Sequence, residues 1–225
     1  MRVAFAFAVL VVPARAADHG LELVPEINAF FKLSDRTRLY LLANVTKPQS
    51  EGSTETEVGA NLDFTLMPIL RRQLRDADWE RSRYLWMRVG YLRLGSPDAQ
   101  GDGPIERRAI IQATARVELP QEVWLASRAQ VDLRDLGGEF SKRFRYRVGI
   151  EREFTAGDTV LVPYAQAEIF YDSRFDAWNR QLYQVGVDIE FTRNWRIEPY
   201  VARQDDSHSS SGNLNRVGLV LKYSR

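Results

Sequence analysis

The chain has 225 residues, of which 44% are hydrophobic and 27% charged, and its 31 lysines and arginines are nearly balanced by 30 aspartates and glutamates. A net charge of +1 gives no electrostatic excess for binding nucleic acid, and the lack of cysteine excludes a disulfide scaffold and thiol chemistry. The composition also excludes a disordered chain and a helical membrane bundle.

Residues 1 to 16 have the organisation of a secretory signal peptide. Arg2 gives a positive start, residues 3 to 12 are an unbroken apolar run, and Ala14 and Ala16 place small residues before the expected cleavage site. The apolar run of ten residues is too short for a transmembrane helix, which needs about 20. We therefore predict export and cleavage, with residues 17 to 225 forming one domain.

Long segments of the mature sequence alternate between apolar and polar residues. Between residues 143 and 154, Phe144, Tyr146 and Val148 fall on one face, and charged residues fall on the other. Such segments run for about 10 to 14 residues. Strands that cross a bilayer need about 9 to 11 residues, whereas soluble strands usually have about 5 or 6. The pattern predicts strands with a lipid-facing exterior and a polar lumen.

Eleven segments with this pattern are predicted as strands. They are residues 26 to 33, 38 to 46, 57 to 66, 84 to 94, 106 to 119, 123 to 134, 143 to 154, 160 to 172, 179 to 191, 196 to 204 and 214 to 223. A bacterial barrel with both ends in the periplasm needs an even number of strands. We expect an all-β, single antiparallel transmembrane β-barrel of 12 strands, with residues 21 to 24 before Pro25 as the twelfth, or alternatively of 10.

The connections between these segments alternate in length. Short turns alternate with longer polar segments, which is typical of barrels with short periplasmic turns and longer outer loops. The Arg-rich segment 67 to 82, which contains Leu70, Leu74 and Trp79, falls on the short-turn side. We expect this segment to lie at the inner rim of the barrel.

The inward faces carry a predicted charge network. Its members are Arg143, Arg145, Arg147, Glu151, Glu168, Asp188 and Glu190. A hairpin that turns near Gly157 would place Arg145 opposite Glu168 and Arg147 opposite Gln166, so that opposite charges meet. Trp86 and Trp124 are also predicted to point inward. We therefore expect paired charges to fill a narrow lumen rather than line a conducting pore.

The last strand carries a predicted assembly signal. Arg216, Gly218, Leu221 and Tyr223 form a pattern of a polar residue, a glycine and two outward hydrophobic positions, the last of them aromatic. This pattern resembles the signal by which outer-membrane barrels are recognised by their assembly machinery, although two residues follow the aromatic one. The resemblance implies that machinery as a partner.

Short motifs along the mature chain resemble a proteobacterial family of outer-membrane barrels that carries only an unknown-function label. The motifs are Leu62-Asp63-Phe64, Pro68-Ile69-Leu70, Arg83-Tyr84-Leu85-Trp86, Arg145-Tyr146-Arg147-Val148-Gly149, Tyr171-Asp172-Ser173, Trp178-Asn179-Arg180 and Glu198-Pro199-Tyr200. The resemblance implies a β-barrel in the outer membrane of a Gram-negative bacterium, and it supplies no catalytic residues.

An enzyme hypothesis depends on one polar loop. A phospholipase or lipid A deacylase needs a serine activated by an oriented histidine, and the segment around His208 supplies Ser209, Ser210 and Asp206 as candidates. The string from His208 to Arg216 resembles the catalytic stretch of the outer-membrane phospholipase, but the residues that separate the serine from its orienting asparagine in that family are missing. The other histidine, His19, lies near the start of the mature chain.

These observations favour a non-catalytic envelope protein or narrow channel, with outer-membrane lipid as its surroundings and no nucleic-acid partner. The lipid hydrolase is the alternative, and a soluble periplasmic lipid-binding barrel is a third hypothesis. No cofactor or metal is expected, because the sequence has neither cysteine nor a histidine pair at ligand spacing. The oligomeric state stays open.

Overall fold

The structure is a computed structural model that describes residues 20–48, 54–65, 79, 83–96, 105–157, 159–208 and 213–225. The predicted signal peptide lies outside the described residues. The strands of the described part are β1 (Gly20–Lys32), β2 (Thr37–Pro48), β3 (Glu55–Phe64), β4 (Leu85–Gly95), β5 (Glu106–Leu119), β6 (Val123–Leu136), β7 (Glu139–Arg152), β8 (Phe154–Ala156), β9 (Thr159–Asp172), β10 (Ala177–Glu190), β11 (Trp195–Asp206) and β12 (Leu214–Ser224). A 3-10 turn, Pro120–Glu122, joins β5 to β6. None of the described helical structure is long and apolar enough to cross a membrane.

Eleven of the strands form a closed ring. β1 to β7 pair in chain order, β7 pairs with β9, and β9 to β12 continue the ring until β12 pairs with β1. The short β8 is not counted as a separate strand of the ring. It pairs with β9 in the same register as β7, so it continues β7 beyond Glu153. The predicted all-β barrel is confirmed, and each of the eleven predicted segments corresponds to one ring strand.

The expectation that both ends of the ring lie on the same side is wrong. With eleven strands in the ring, the first and last must run in the same direction, and β1 pairs with β12 in parallel over residues 20 to 30. Residues 21 to 24 are not a separate strand either, because β1 runs through Pro25. The ladder between β1 and β2 is interrupted between Leu23 and Glu26, where the proline has no N–H to donate.

The two ends of the ring differ in their connections. The turns after β1, β5, β8 and β10 are short, and we call their side the short-turn rim; the connection from β3 to β4, residues 65 to 84, is the long exception on this side. The connections after β2, β4 and β11 are longer and lie on the opposite side, which we call the long-loop rim. Since β12 ends at the short-turn rim, the parallel pairing places the start of β1 at the long-loop rim.

Large apolar side chains cover the outside of the ring. They include Ile27, Val58, Ile111, Val117, Val148, Ile150, Val185, Val201 and Leu219, all of them exposed. In a water-soluble protein this much contiguous apolar surface would be costly to hydrate. In a bilayer it is the surface that a transmembrane barrel requires.

Aromatic rings form a belt at each end of this apolar surface. Near the long-loop rim, Trp178 contacts Phe144 and Tyr171 edge-on, with ring centres 6.0 and 5.8 Å apart. Near the short-turn rim, the ring centre of Tyr223 lies 4.9 Å from that of Trp195. Transmembrane barrels carry such aromatic girdles at both membrane interfaces, because the amphipathic rings suit the headgroup region.

Val148→Arg tests the orientation of the strands. An arginine at the middle of the lipid-facing surface costs about 2 to 4 kcal/mol, whereas one near the interface costs about 0 to 1 kcal/mol. We expect Val148→Arg, and equally Val187→Arg, to reduce the folded fraction in a membrane-fractionation assay with heat-modifiable gel mobility. Phe140→Arg, an outward position at the long-loop end of the same strand as Val148, should assemble nearly as wild type. Equal yields for Val148→Arg and Phe140→Arg would contradict the lipid-facing assignment.

Removal of the last three residues tests the end of β12. Tyr223 packs against Trp195, and the backbone of Arg225 exchanges hydrogen bonds with Phe30 and Lys32 of β1. Loss of these contacts leaves backbone N–H and C=O groups at the edge of the sheet unpaired, and lipid offers them no hydrogen-bond partner. We expect normal export of a chain ending at Lys222 but little folded barrel in gel-mobility assays. Tyr223→Phe keeps the ring and should assemble normally, and normal assembly of the truncated chain would refute the role of this segment.

Candidate functional site

The interior of the ring is the candidate site. A cavity of about 900 Å³ lies within it. Its lining includes residues from all eleven ring strands, from Arg193 and Asn194 at the short-turn rim to Thr46 and Glu55 at the long-loop rim. Most of the lining side chains are polar or charged, as expected where each strand turns its apolar residues outward. The lumen is therefore polar along its whole length.

Glu168 on β9 is the centre of an ion-pair cluster near the middle of the strands. Its side chain is 1% exposed and accepts hydrogen bonds from Arg128 (2.7 Å), Arg145 (2.8 and 3.2 Å) and Arg147 (2.7 and 3.1 Å). Arg128 comes from β6, and the other two arginines come from β7. Three guanidinium groups share the Glu168 carboxylate, and Arg145 also lies 3.9 Å from the fully buried carboxylate of Asp132. This group of three arginines and two carboxylates, which we call the arginine cluster, therefore has a net charge of one positive unit.

The predicted register between β7 and β9 is wrong by two residues. The sequence placed Arg145 opposite Glu168, whereas the structure pairs Arg147 with Glu168 and Arg145 with Phe170. The reason is the hairpin turn: Ala156 pairs with Thr159, which centres the loop one residue later than expected and shifts the register by two. Arg145 still reaches Glu168, and Arg147 also reaches Gln166 at 3.2 Å, because long arginine side chains span diagonal positions.

The other members of the predicted network pair with residues outside it. Arg143 donates to Asp172 at 2.9 Å, Asp188 accepts from Lys222 at 3.1 Å, Glu190 accepts from Arg196 at 3.0 Å, and Glu151 accepts from Arg116. Each of these partners stands at an alternate position whose side chain the sequence pattern assigns to the lumen. The sequence analysis missed the partnerships because alternation gives the face of a residue and not its neighbour across the sheet.

Asp172 repeats the arrangement around Glu168 near the long-loop rim. Its fully buried carboxylate accepts hydrogen bonds from Arg134 (3.0 Å), Arg143 (2.9 Å) and Arg174 (3.0 Å). These arginines come from β6, from β7 and from the turn after β9. Buried carboxylates shared by several arginines therefore join neighbouring strands at two levels of the lumen.

An aromatic and arginine cluster narrows the lumen near the short-turn rim. Trp79 and Trp86 lie edge to face with ring centres 5.8 Å apart, and the guanidinium of Arg38 lies 4.6 Å from the ring centre of Trp79. The guanidinium of Arg88 lies 5.1 Å from the ring centre of Trp86. Asp63, fully buried, accepts hydrogen bonds from Arg38 at 2.7 Å and from Arg88 at 2.6 Å. Cation–π contacts and ion pairs thus hold the two tryptophans inside the ring.

Arg83 links this cluster to the first turn of the barrel. It donates hydrogen bonds to the carbonyl groups of Trp79 and Asp35. The Asp35 carboxylate accepts from Lys32 at 2.8 Å, and this hydrogen bond and charge lower the pKa of Asp35 below its ordinary value. Of the segment 67 to 82, Trp79 alone belongs to the described residues; Leu70 and Leu74 lie outside them, so the expectation for the whole segment stays a prediction.

The residues of the predicted assembly signal lie on both faces of β12. Arg216 points into the lumen and forms an ion pair with Glu22 of β1 at 2.6 Å. Gly218 also faces inward, and a Cβ atom there would overlap the ring of Tyr200 on β11. Leu221 and Tyr223 face outward. The glycine has a packing role, and recognition of the segment by assembly machinery stays a prediction.

The residues around His208 do not form a triad within the described part of the chain. The Nδ1 atom of His208 lies 2.9 Å from Ser207 Oγ, and this hydroxyl also donates to the carbonyl of Asn179 at 3.2 Å. The carboxylate of Asp206 accepts from Arg180 at 2.8 Å and from the backbone N–H of His208 at 3.0 Å. Asp206 therefore holds the loop backbone and does not orient the imidazole ring.

The ring of His208 stacks on Phe175, with ring centres 4.6 Å apart. Ser209 and Ser210, the proposed nucleophiles, and His19 lie outside the described residues. The hydrolase hypothesis stays a prediction. Among the described residues, no group of three or more histidine, aspartate or glutamate side chains is placed to hold a metal ion.

Glu168→Gln tests the arginine cluster. The substitution leaves Arg128, Arg145 and Arg147 without their shared carboxylate, and loss of one partner of a buried ion pair costs about 3 to 5 kcal/mol. We expect the folded barrel to unfold at a clearly lower urea concentration, followed by gel mobility in detergent. Glu139→Gln removes the same charge from an exposed position at the start of β7 and should change little. Unchanged stability of Glu168→Gln would show that the cluster does not support the barrel.

No family model matches the chain, and no curated protein matches it. The resemblance to an uncharacterised outer-membrane family therefore stays a prediction. Among solved structures, the chain is similar to the β-domain of the Bordetella autotransporter BrkA, with 14% sequence identity and a TM-score of 0.45 over 84% of this chain and 83% of that one. A likeness of this degree supports no inference about function.

Proposed function

We propose that the protein is an outer-membrane β-barrel whose lumen is a narrow passage for small polar solutes. The observation that carries the proposal is the polar cavity, whose lining residues come from every strand of the ring and extend from one rim to the other. Paired charges hold the wall together, and they leave a volume of about 900 Å³ within it. Pockets of roughly 300 to 1,000 Å³ accommodate small molecules.

The surface of the ring supports a location in the outer membrane. The apolar exterior lies between two aromatic belts, and the closed ring satisfies the backbone hydrogen bonds of its strands within the sheet. Closed barrels of this kind, preceded by a signal peptide for export, are the usual proteins of Gram-negative outer membranes. On this proposal the exterior contacts lipid, and assembly machinery recognises β12 through Leu221 and Tyr223.

The narrow bore limits what passes. Strands about 4.8 Å apart and tilted by about 40° give a ring of eleven strands a backbone diameter of about 22 Å. Arginine and tryptophan side chains occupy much of this width, as Trp86 and Trp124 do at the short-turn rim. The remaining space suits ions and solutes of a few heavy atoms, and it excludes folded segments and long chains.

Blocking the lumen tests the proposal. Ala126 on β6 lines the cavity, so Ala126→Trp should fill part of it and reduce single-channel conductance severalfold in planar lipid bilayers. Ala129→Trp places the same side chain on the lipid-facing side of the same strand and should conduct as wild type. If wild-type protein, shown to be folded by its gel mobility, gives no conductance, or if both variants conduct equally, the passage is refuted.

A further inference from the structure

The two sides of the lumen carry different charges at the middle of the strands. The arginine cluster, on β6, β7 and β9, contributes three guanidinium groups and two carboxylates, and so keeps one positive charge in excess. In a ring of eleven strands, β1 lies five strands away from β6 and therefore on the opposite wall. The seventh residue of β1 is Glu26, and the seventh residue of β7 is Arg145, so both lie near the middle of their strands.

Glu26 is the acidic counterpart of the arginine cluster. It is half-buried, lines the cavity, and accepts a hydrogen bond from the Asn28 side chain at 2.6 Å. It makes no ion pair with any described residue. Glu22, four residues earlier on the same face of β1, does form one with Arg216. Asn44 pairs with Glu26 on one side and with Glu57 on the other, which places a second carboxylate in the same row.

Glu57 is only loosely neutralised. Its nearest cation is Arg108, at 3.9 Å, and this guanidinium donates its hydrogen bonds to Glu106 instead. The wall formed by β1 and β3 therefore presents two carboxylates to the cavity, facing a wall with an excess of guanidinium groups. A half-buried carboxylate that forms no close ion pair is costly, and a cationic group that enters the cavity would stabilise it.

We propose, building on the proposed passage, that the lumen binds and passes small zwitterions that carry both a carboxylate and an ammonium group. The carboxylate binds the arginine cluster, where Arg145 and Arg147 offer paired donors, and the ammonium group binds Glu26. A simple anion or cation interacts with only one wall. A zwitterion is neutral overall and interacts favourably with both walls, which a neutral solute of the same size does not.

The test compares glycine with its neutral isomer glycolamide, which has the same mass. Proteoliposomes containing the folded barrel are placed in isotonic solutions of each compound, and swelling rates are measured. We expect glycine to enter about fivefold faster, which corresponds to about 1 kcal/mol. Glu26→Gln and Arg147→Gln should each bring the ratio of the two rates towards one, because each removes one of the two charges that favour glycine.

Arg147→Gln is expected to fold, because Glu168 keeps Arg128 and Arg145 as partners. Glu139→Gln and Arg107→Gln are the matched controls, since they remove the same charges from exposed positions and should keep the wild-type ratio. Equal entry of both isomers into wild-type vesicles would overturn the zwitterion preference and leave the passage standing. A ratio that falls in Arg147→Gln but not in Glu26→Gln would replace the zwitterion site by an anion site. Entry of neither isomer would overturn the passage itself.

Discussion

Alternation within a closed ring is the constraint on which the rest of the structure depends. Each strand turns successive side chains to opposite faces, and in a closed ring these faces are the exterior and the lumen. Because the exterior of this barrel is apolar between its aromatic belts, nearly all the charges of the strands face a narrow interior. Isolated charges in such a space would be strongly destabilising, so the chain pairs them. The arrangement of guanidinium and carboxylate groups in the lumen follows from the requirement for an apolar outer surface.

Arginine suits this interior better than lysine would. A guanidinium group donates in several directions from one plane, so it can bind a carboxylate and still reach a second acceptor, as Arg134 does between Glu106 and Asp172. The buried carboxylates Glu168 and Asp172 consequently serve as junctions between neighbouring strands. Their arginines outnumber them, which leaves a positive excess on one wall of the lumen. The same pairing that stabilises the barrel therefore also determines what the cavity attracts.

The strands and their faces could be predicted from the sequence because period-two alternation is a local property that every segment of the barrel repeats. The inward direction of Arg143, Arg145 and Arg147 followed from it directly. The pairing of these residues did not, since register depends on the centre of a turn, and a displacement of one residue around Gly157 moves every cross-strand pair by two. Glu26 was missed for a related reason. Its importance lies in having no ion pair among the described residues, and that can be recognised only when its neighbours on three strands are known.

The odd number of strands has a physical consequence at the seam of the ring. Parallel pairs form slanted hydrogen bonds that are slightly less stable per residue than antiparallel ones, so the contact between β1 and β12 is the weakest in principle. The structure supports this seam at both ends. Arg216 and Glu22 form an ion pair across it towards the long-loop rim, and the backbone of Arg225 bonds to Phe30 and Lys32 at the short-turn rim. Between these points β1 and β12 pair without interruption. Pro25 interrupts only the ladder between β1 and β2. Arg225, which follows the aromatic end of β12, therefore adds backbone hydrogen bonds to the parallel pair of β1 and β12, where the sheet is weakest.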